Sequence, residues 1–453
     1  MTDQQQPQPR PPKSKEQPTI LDRFNTWIAE SMSLRLVIIG ILILILLIPL
    51  EMVQGLIRER TYRMDEAKQE VSHSWANDQV ITGPIISIPY TDYDEKGQVY
   101  ENGNVHVLPE MLDVKAELTP EIRKRGIFEI PVYQSENELT FRYSPEPIDE
   151  YATRKIHWER ASLLLGISDT RGITEELDLM INGTPIEFDP GLPNHDVFSS
   201  GISTPIEINW GDSVSTSFEG TLSLNLRGSN SLKFIPIGKT TSTRMTSTWP
   251  HPSFVGSFLP TMRDITNDGF EAEWKVLEYN RNFSQVFYNE MHLGGSAYGV
   301  DLYMPVNHYQ KSERSAKYAV MMIALTFILF FFSQAINKVK IHPFQYFLVG
   351  LALCLFYTLL LSLSEHVGFN WAYIISAGMI LGLITLYMKK LLGSTKFTLI
   401  TAGVLGGLYL YIFTLLQLQD YALLIGSIGL FLILAMIMWL SAKINWSGKP
   451  TTT

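Results

Sequence analysis

The chain is poor in the residues and patterns that most chemistry needs. It has one cysteine in 453 residues, Cys354, which excludes a disulfide framework. No G-x-x-x-x-G-K-[ST], G-x-G-x-x-G after a strand, H-E-x-x-H or G-x-S-x-G occurs, so nucleotide cradles, zincin sites and nucleophile elbows have no local signature. The nine histidines form no pair at metal-ligand spacing, and no metal or cofactor is expected. Acidic residues outnumber basic ones, 45 to 36. The excess is concentrated in residues 55–317, with 24 Lys+Arg against 38 Asp+Glu. Such a segment does not hold nucleic acid or an anionic bilayer surface by charge.

Long apolar runs, by contrast, are plentiful. Five follow one another between Tyr318 and Leu440, each of about 17–20 residues, enough to cross a ~30 Å hydrocarbon core as a helix. The loops between them alternate in sign: Lys338 and Lys340, then Glu365, then Lys389, Lys390 and Lys396, then Asp420, then Lys443 and Lys449 in the tail. Lys and Arg in short loops stay in the cytoplasm, so the basic loops and the C-terminus are expected inside. No Asp, Glu, Lys, Arg or His falls in the middle of these five spans, which disfavours a proton-coupled carrier. A sixth run, LVIIGILILILLIPL at Leu36–Leu50, follows a long, acid-containing tail and lacks a small-x-small cleavage pattern. It reads as an uncleaved anchor rather than a signal peptide. Six crossings place both termini in the cytoplasm. The expected spans are 34–54, 318–336, 346–363, 371–387, 397–416 and 421–440, flanked by a disordered, Pro/Gln-rich tail over 1–33 and a second tail over 441–453.

Residues 55–317 then form a periplasmic domain. Helical spacing at Met52, Ile57, Met64 and Val71 predicts that the first span continues as a stalk over 55–78. From residue 79 the pattern becomes that of strands. TLSLNLR (Thr221–Arg227) and EAEWKV (Glu271–Val276) alternate with period two, and Asn182-Gly183 between LDLMI and TPIEF marks a hairpin. Short strands with few helical intervals predict an antiparallel sandwich or distorted barrel over 79–317. The fold class expected is a polytopic α-helical membrane protein of six spans with a large inserted, mostly-β, sandwich-like domain. No internal repeat is visible.

Several stretches resemble the CreD family of bacterial inner-membrane proteins: TGPIISIPY (Thr82–Tyr90), VLPEMLDVKAELTPEIRKRGIFEIPVY (Val107–Tyr133), SDTRGI (Ser168–Ile173), LRGSNSLKFIPIGKTT (Leu226–Thr241), SFVGSFLP (Ser253–Pro260), GVDLYMPVNHYQKSERSAKYA (Gly299–Ala319) and, most specific, IHPFQYFLVGLALCLFYTLLLSLSEHVGFNWAY (Ile341–Tyr373). The resemblance implies one N-terminal helix, a large periplasmic domain and a C-terminal helix bundle, with a role in envelope integrity and stress tolerance. It supplies no reaction and no catalytic residues. Tyr298 stands where Phe is expected, a swap that alters nothing in this reading.

Two places stand out as candidate functional residues. Ser364, Glu365 and His366, with Ser362, sit at the outer end of the third span. Ser, carboxylate and imidazole together invite a nucleophile–base reading. Adjacent helical residues diverge by about 100°, however, and a polar helix terminus capped near Gly368 explains the cluster as well. The other place is WPHPSFVGSFLP (Trp249–Pro260), whose Trp249, Phe254 and Phe258 either form a contact surface on a stiff loop or plug the end of the sandwich. Small residues four apart, Gly378/Gly382 and Gly403/Gly407, predict close helix approach, within the chain or against a partner. His342-Pro343 fits a helix start. The function expected is non-enzymatic: support of the envelope by interaction through the β-domain, with lipid or amphiphile handling as the alternative. Expected partners are the lipid bilayer and envelope proteins or lipids.

Overall fold

The computed structural model describes residues 32–146, 148, 153–208, 210, 217–304, 308–337, 341–392, 394–418 and 421–442. The tails expected over 1–33 and 441–453 lie almost entirely outside these. The chain divides into two compact units, residues 62–306 and residues 1–61 with 307–453.

The first unit is built from two β-sheets around one core. One sheet runs, from edge to edge, through Pro252–Gly256, Tyr298–Leu302, Ser231–Phe234, Gln79–Tyr93, Ser162–Ile167, Gly201–Pro205 and Asp189–Pro190, with three further strands branching from it. The other orders Met262–Thr266, Gly269–Leu277, Thr240–Ser247, Met111–Arg125, Phe128–Tyr143, Phe218–Ser229, Asp178–Ile181 and Thr184–Ile186. Period two decides which side chains enter. Leu222, Leu224 and Leu226 point inward from one predicted strand, and Phe270, Ala272, Trp274 and Val276 from another. They join Ile85, Ile88, Leu163 and Val300 from the facing sheet in one cluster. Buried hydroxyls tie the sheets together. Tyr143 donates to the Pro84 carbonyl oxygen at 2.6 Å and Tyr133 to that of Ser231 at 2.7 Å. Gly228 leaves room for the second of these, since a Cβ there would lie 2.2 Å from the Tyr133 hydroxyl.

The Asn182-Gly183 hairpin forms as expected, with both residues at positive φ (48° and 79°) and Ile181 opposite Thr184. The stretch Val107–Tyr133 contains a long hairpin, Met111–Arg125 against Phe128–Tyr143, turned at Gly126 with φ 61°. The SDTRGI segment is a clamp. Asp169 accepts from the Asn77 amide at 2.9 Å and from the Arg171 guanidinium at 2.7 Å, and Arg171 donates to the His73 carbonyl oxygen at 2.9 Å. The Arg171 hydrogen bond pulls the Asp169 carboxyl down to about 2, burial opposing it.

The sandwich is not purely antiparallel. Gln79–Ile81 runs parallel to Leu232–Phe234, and Met111–Leu118 parallel to Thr240–Ser247. More than a hundred residues separate the partners, so no hairpin fixes their relative direction, and periodicity alone does not encode it. The sheets also have free ends, so the barrel alternative is not formed. A second correction concerns Trp249–Pro260. Prolines suggested a loop, yet Pro252–Gly256 is a strand, pairing with Tyr298–Leu302 at the sheet's edge. Proline at the first position of an edge strand removes no ladder bond the sheet needs.

The second unit is helical. Helix α1 spans Met32–Trp75, and its last turns belong to the β-rich unit. At 44 residues it is ~66 Å long, about twice the hydrocarbon thickness. The other helices are α2 (His308–Lys317), α3 (Ala319–Asn337), α4 (Pro343–Val367), α5 (Phe369–Leu392), α6 (Thr395–Gln417) and α7 (Ala422–Ala442). Five of the seven are long and apolar enough to cross a membrane; α2 and α3 pass the same test only as a pair, bent by 43°. Residues 308–317, expected inside the β-rich stretch, are thus a helix of the bundle unit. Their pattern explains it, because Tyr309, Ser312, Ser315 and Ala316 are buried along one helical face. Pro343 opens α4 as expected, with His342 Nδ1 accepting from the Phe344 amide at 3.2 Å.

The glycine pairs do not draw helices together within the chain. A Cβ on Gly378, Gly382, Gly403 or Gly407 would meet nothing within 4 Å beyond the helix's own backbone. Close approach occurs instead at Gly350, where a Cβ would lie 2.1 Å from Leu46 of α1, and at Gly429, where one would lie 2.1 Å from the Tyr411 hydroxyl of α6. Spacing alone does not say which face of a helix is covered, and these pairs lie on exposed faces.

Candidate functional site

Ser364, Glu365 and His366 close α4, which stops at Val367 before Gly368 with φ 76°. The Ser364 hydroxyl is buried and donates to the Leu361 carbonyl oxygen at 2.8 Å, within its own helix. Glu365 faces elsewhere. It accepts from the Tyr309 hydroxyl of α2 at 3.0 Å and lies 3.7 Å from Arg60 Nε of α1. His366 is exposed. No hydrogen bond links these three residues to one another among the described residues. The arrangement is a clasp in which one carboxylate holds a phenol and a guanidinium from two other helices. The Ser312 and Ser315 hydroxyls, on the same face of α2 as Tyr309, are buried without a hydrogen-bond partner. Sequence reasoning found Glu365 but neither partner, which lie 56 and 305 positions away in the chain.

The three aromatics of Trp249–Pro260 turn inward. Phe254 packs edge-on to Phe270 and Trp274, ring centroids 5.7 Å apart in each case, and Phe258 edge-on to Tyr298 at 6.1 Å. The Trp249 indole donates to the Tyr303 and His251 carbonyl oxygens, both at 3.1 Å. What the segment exposes is its downstream end. Leu259 is 69% exposed, and in the strand Met262–Thr266 every residue is exposed, including Met262 and Ile265. Among the described residues that strand pairs only with Gly269–Leu277, and it ends its sheet.

A polar group that spacing could not reveal lies inside the β-rich unit. His106 Nε2 is 3.2 Å from Asp196 Oδ2, which also accepts from the Asn104 side chain at 2.8 Å, and the His106 ring stacks on Phe287 at 5.1 Å. Burial pushes the His106 pKa down, with Asp196 opposing the shift. Its Nδ1 is buried without a partner and no part of the ring reaches solvent, whereas Asp196 is partly exposed. Nearby, Arg154 pairs with Asp92 through two hydrogen bonds of 2.7 Å and lies over the Tyr90 and Tyr288 rings. No group of three or more His, Cys, Asp or Glu side chains could hold a metal among the described residues.

In the bundle, α3, α6 and α7 line an open apolar groove of about 410 Å³. Its walls include Leu329, Phe332, Val404, Leu408, Ile433 and Met436.

Comparison with known proteins accounts for nearly the whole chain. The family described as Inner membrane protein CreD matches residues 31–447. The Inner membrane protein CreD of Escherichia coli (strain K12) is 33% identical over 422 residues, covering 89% of this chain and 91% of that one. Match and architecture agree, and the chain belongs to the CreD family of inner membrane proteins.

Proposed function

We propose that the protein is a non-enzymatic inner-membrane scaffold that supports envelope integrity under stress through its β-rich unit. In this reading six spans hold both termini in the cytoplasm and the β-rich unit in the periplasm, as the alternating loop charges support. The bent pair α2–α3 counts as the second of the six.

The observation that carries the interaction role is the edge strand Met262–Thr266. An open edge offers unpaired backbone groups to another chain, and soluble domains commonly blunt such edges. Here one side chain of each charge, Arg263 and Asp264, lies between exposed Met262 and Ile265. An extended segment of a protein partner fits by adding a strand, with apolar side chains seated on Leu259, Met262 and Ile265.

The test is photo-crosslinking in cells from a benzophenone residue at Met262 or Ile265, with inward-facing Phe254 as control. Discrete adducts to an envelope protein at the first two positions only support the reading. Equal or absent adducts at all three, with normal abundance, overturn it. Complementation of the null strain by Glu365→Gln and His366→Ala addresses chemistry separately: full rescue is expected, and loss of rescue at matched abundance would point to a reaction at the clasp.

A further inference from the structure

We propose that the groove between α3, α6 and α7 is a lipid site holding one acyl chain of an anionic phospholipid. The occupant is fixed first by what the walls cannot offer. Two side chains lining the groove carry polar atoms, and both are already engaged. Thr326 donates to the Met322 carbonyl oxygen at 2.7 Å, and the Tyr411 hydroxyl lies 3.0 Å from the Gly426 carbonyl oxygen. A ligand inside therefore meets hydrocarbon alone, and a group that needed a hydrogen bond would leave it unmade.

Size and direction narrow the choice. The volume of about 410 Å³ falls within the ~300–1,000 Å³ typical of ligand sites. Along α7 the lining runs from Gly429 to Leu440, ~16 Å at 1.5 Å per residue, which is half of a ~30 Å hydrocarbon core. The groove is therefore one leaflet deep. Successive spans alternate in direction, so the end marked by Phe332, Val404 and Leu440 is the end where α5 finishes with Lys389 and Lys390 and α6 begins with Lys396. Basic side chains at that end suit an anionic headgroup. The leaflet is the cytoplasmic one, on the topology proposed above.

Gly407 gives a clean test. It lines the groove and has open space at its Cβ position, whereas Gly403, one turn away on the same helix, is equally open but lies outside the lining. The full chain is reconstituted in vesicles of phosphatidylcholine with a trace of phosphatidylglycerol or phosphatidylcholine carrying a diazirine in one acyl chain, and labelled peptides are mapped. The expected result is labelling concentrated on Leu329, Val404 and Ile433, at least threefold stronger with the phosphatidylglycerol probe. Gly407→Leu should lower it at least fivefold and Gly403→Leu leave it unchanged. Ile433→Trp, which fills the groove from the opposite wall, repeats the loss should Gly407→Leu fail to insert. Labelling no denser in the groove than at exposed Leu423 and Leu386 would overturn the proposal. So would equal labelling by both probes, or crosslinks between two copies at the same residues.

Discussion

The two units treat apolar side chains in opposite senses. In the β-rich unit Trp274, Tyr143 and Phe141 are enclosed, and the exposed positions on the same strands are polar apart from Leu277 at a strand end. In the bundle Leu386, Leu423 and Phe431 are the exposed ones, at 71%, 87% and 70%. Glycine follows the same division. In the β-rich unit Gly172 sits where a Cβ would be 2.4 Å from the Arg227 carbonyl oxygen, whereas Gly378 and Gly382 face open space. Water drives the first arrangement through burial of apolar area. Lipid gives no such drive, so a membrane bundle is held by packing and a few polar contacts. Apolar content therefore says little about stability here until the solvent is named.

The comparison would break most visibly at Trp274. Trp274→Ala should cost about 3–5 kcal/mol, seen as a large fall in the melting temperature of the detergent-purified chain, whereas Leu423→Ala should stay within about 0.5 kcal/mol. Next comes Asp169→Ala, expected to cost about 1–3 kcal/mol by leaving the Asn77 amide without its acceptor, while Arg171 keeps the His73 carbonyl oxygen and solvent. Because the folded Asp169 pKa is depressed to about 2, its contribution is complete above the ordinary carboxylate value near 3.9 and disappears as pH falls toward 2. A melt series over that window should converge for parent and Asp169→Asn. Gly172→Ala against Gly378→Ala sharpens the glycine contrast: about 1–3 kcal/mol for the first, from displaced neighbours, and no measurable change for the second. His106 should give a smaller, pH-dependent effect. Its folded pKa is lowered by burial, so the unfolded chain takes up the proton first. Stability is lost as pH falls below about 6.5, and His106→Gln should flatten that slope. Glu365→Gln is expected to be mild, within about 1 kcal/mol, since Arg60 is only an outer partner at 3.7 Å.

Periodic features were legible in the sequence because they are local. The alternation at Thr221–Arg227, the hairpin at Asn182-Gly183 and the helix start at Pro343 each follow from a few adjacent residues. The parallel pairings were not legible, since the direction of Met111–Leu118 against Thr240–Ser247 depends on the path of the intervening chain. Nor were the partners of Glu365, because Arg60 and Tyr309 come from helices whose rotation is set by packing. The Trp249, Phe254 and Phe258 side chains show a different limit. Their type and spacing suit a contact surface and a core equally, and only the pairing of Pro252–Gly256 decides which way they turn. Gly350 has Tyr346 and Cys354 four positions away rather than a second glycine, so spacing does not mark it, yet it alone of the glycines discussed for the bundle receives a side chain from α1.

The single cysteine has a consequence for how the protein matures. Cys354 is buried within α4, and the β-rich unit contains no thiol at all. Nothing in that unit waits for a thiol oxidant or for a correct disulfide pairing. On the periplasmic placement proposed above, a cell whose disulfide-forming machinery has been poisoned would still assemble it.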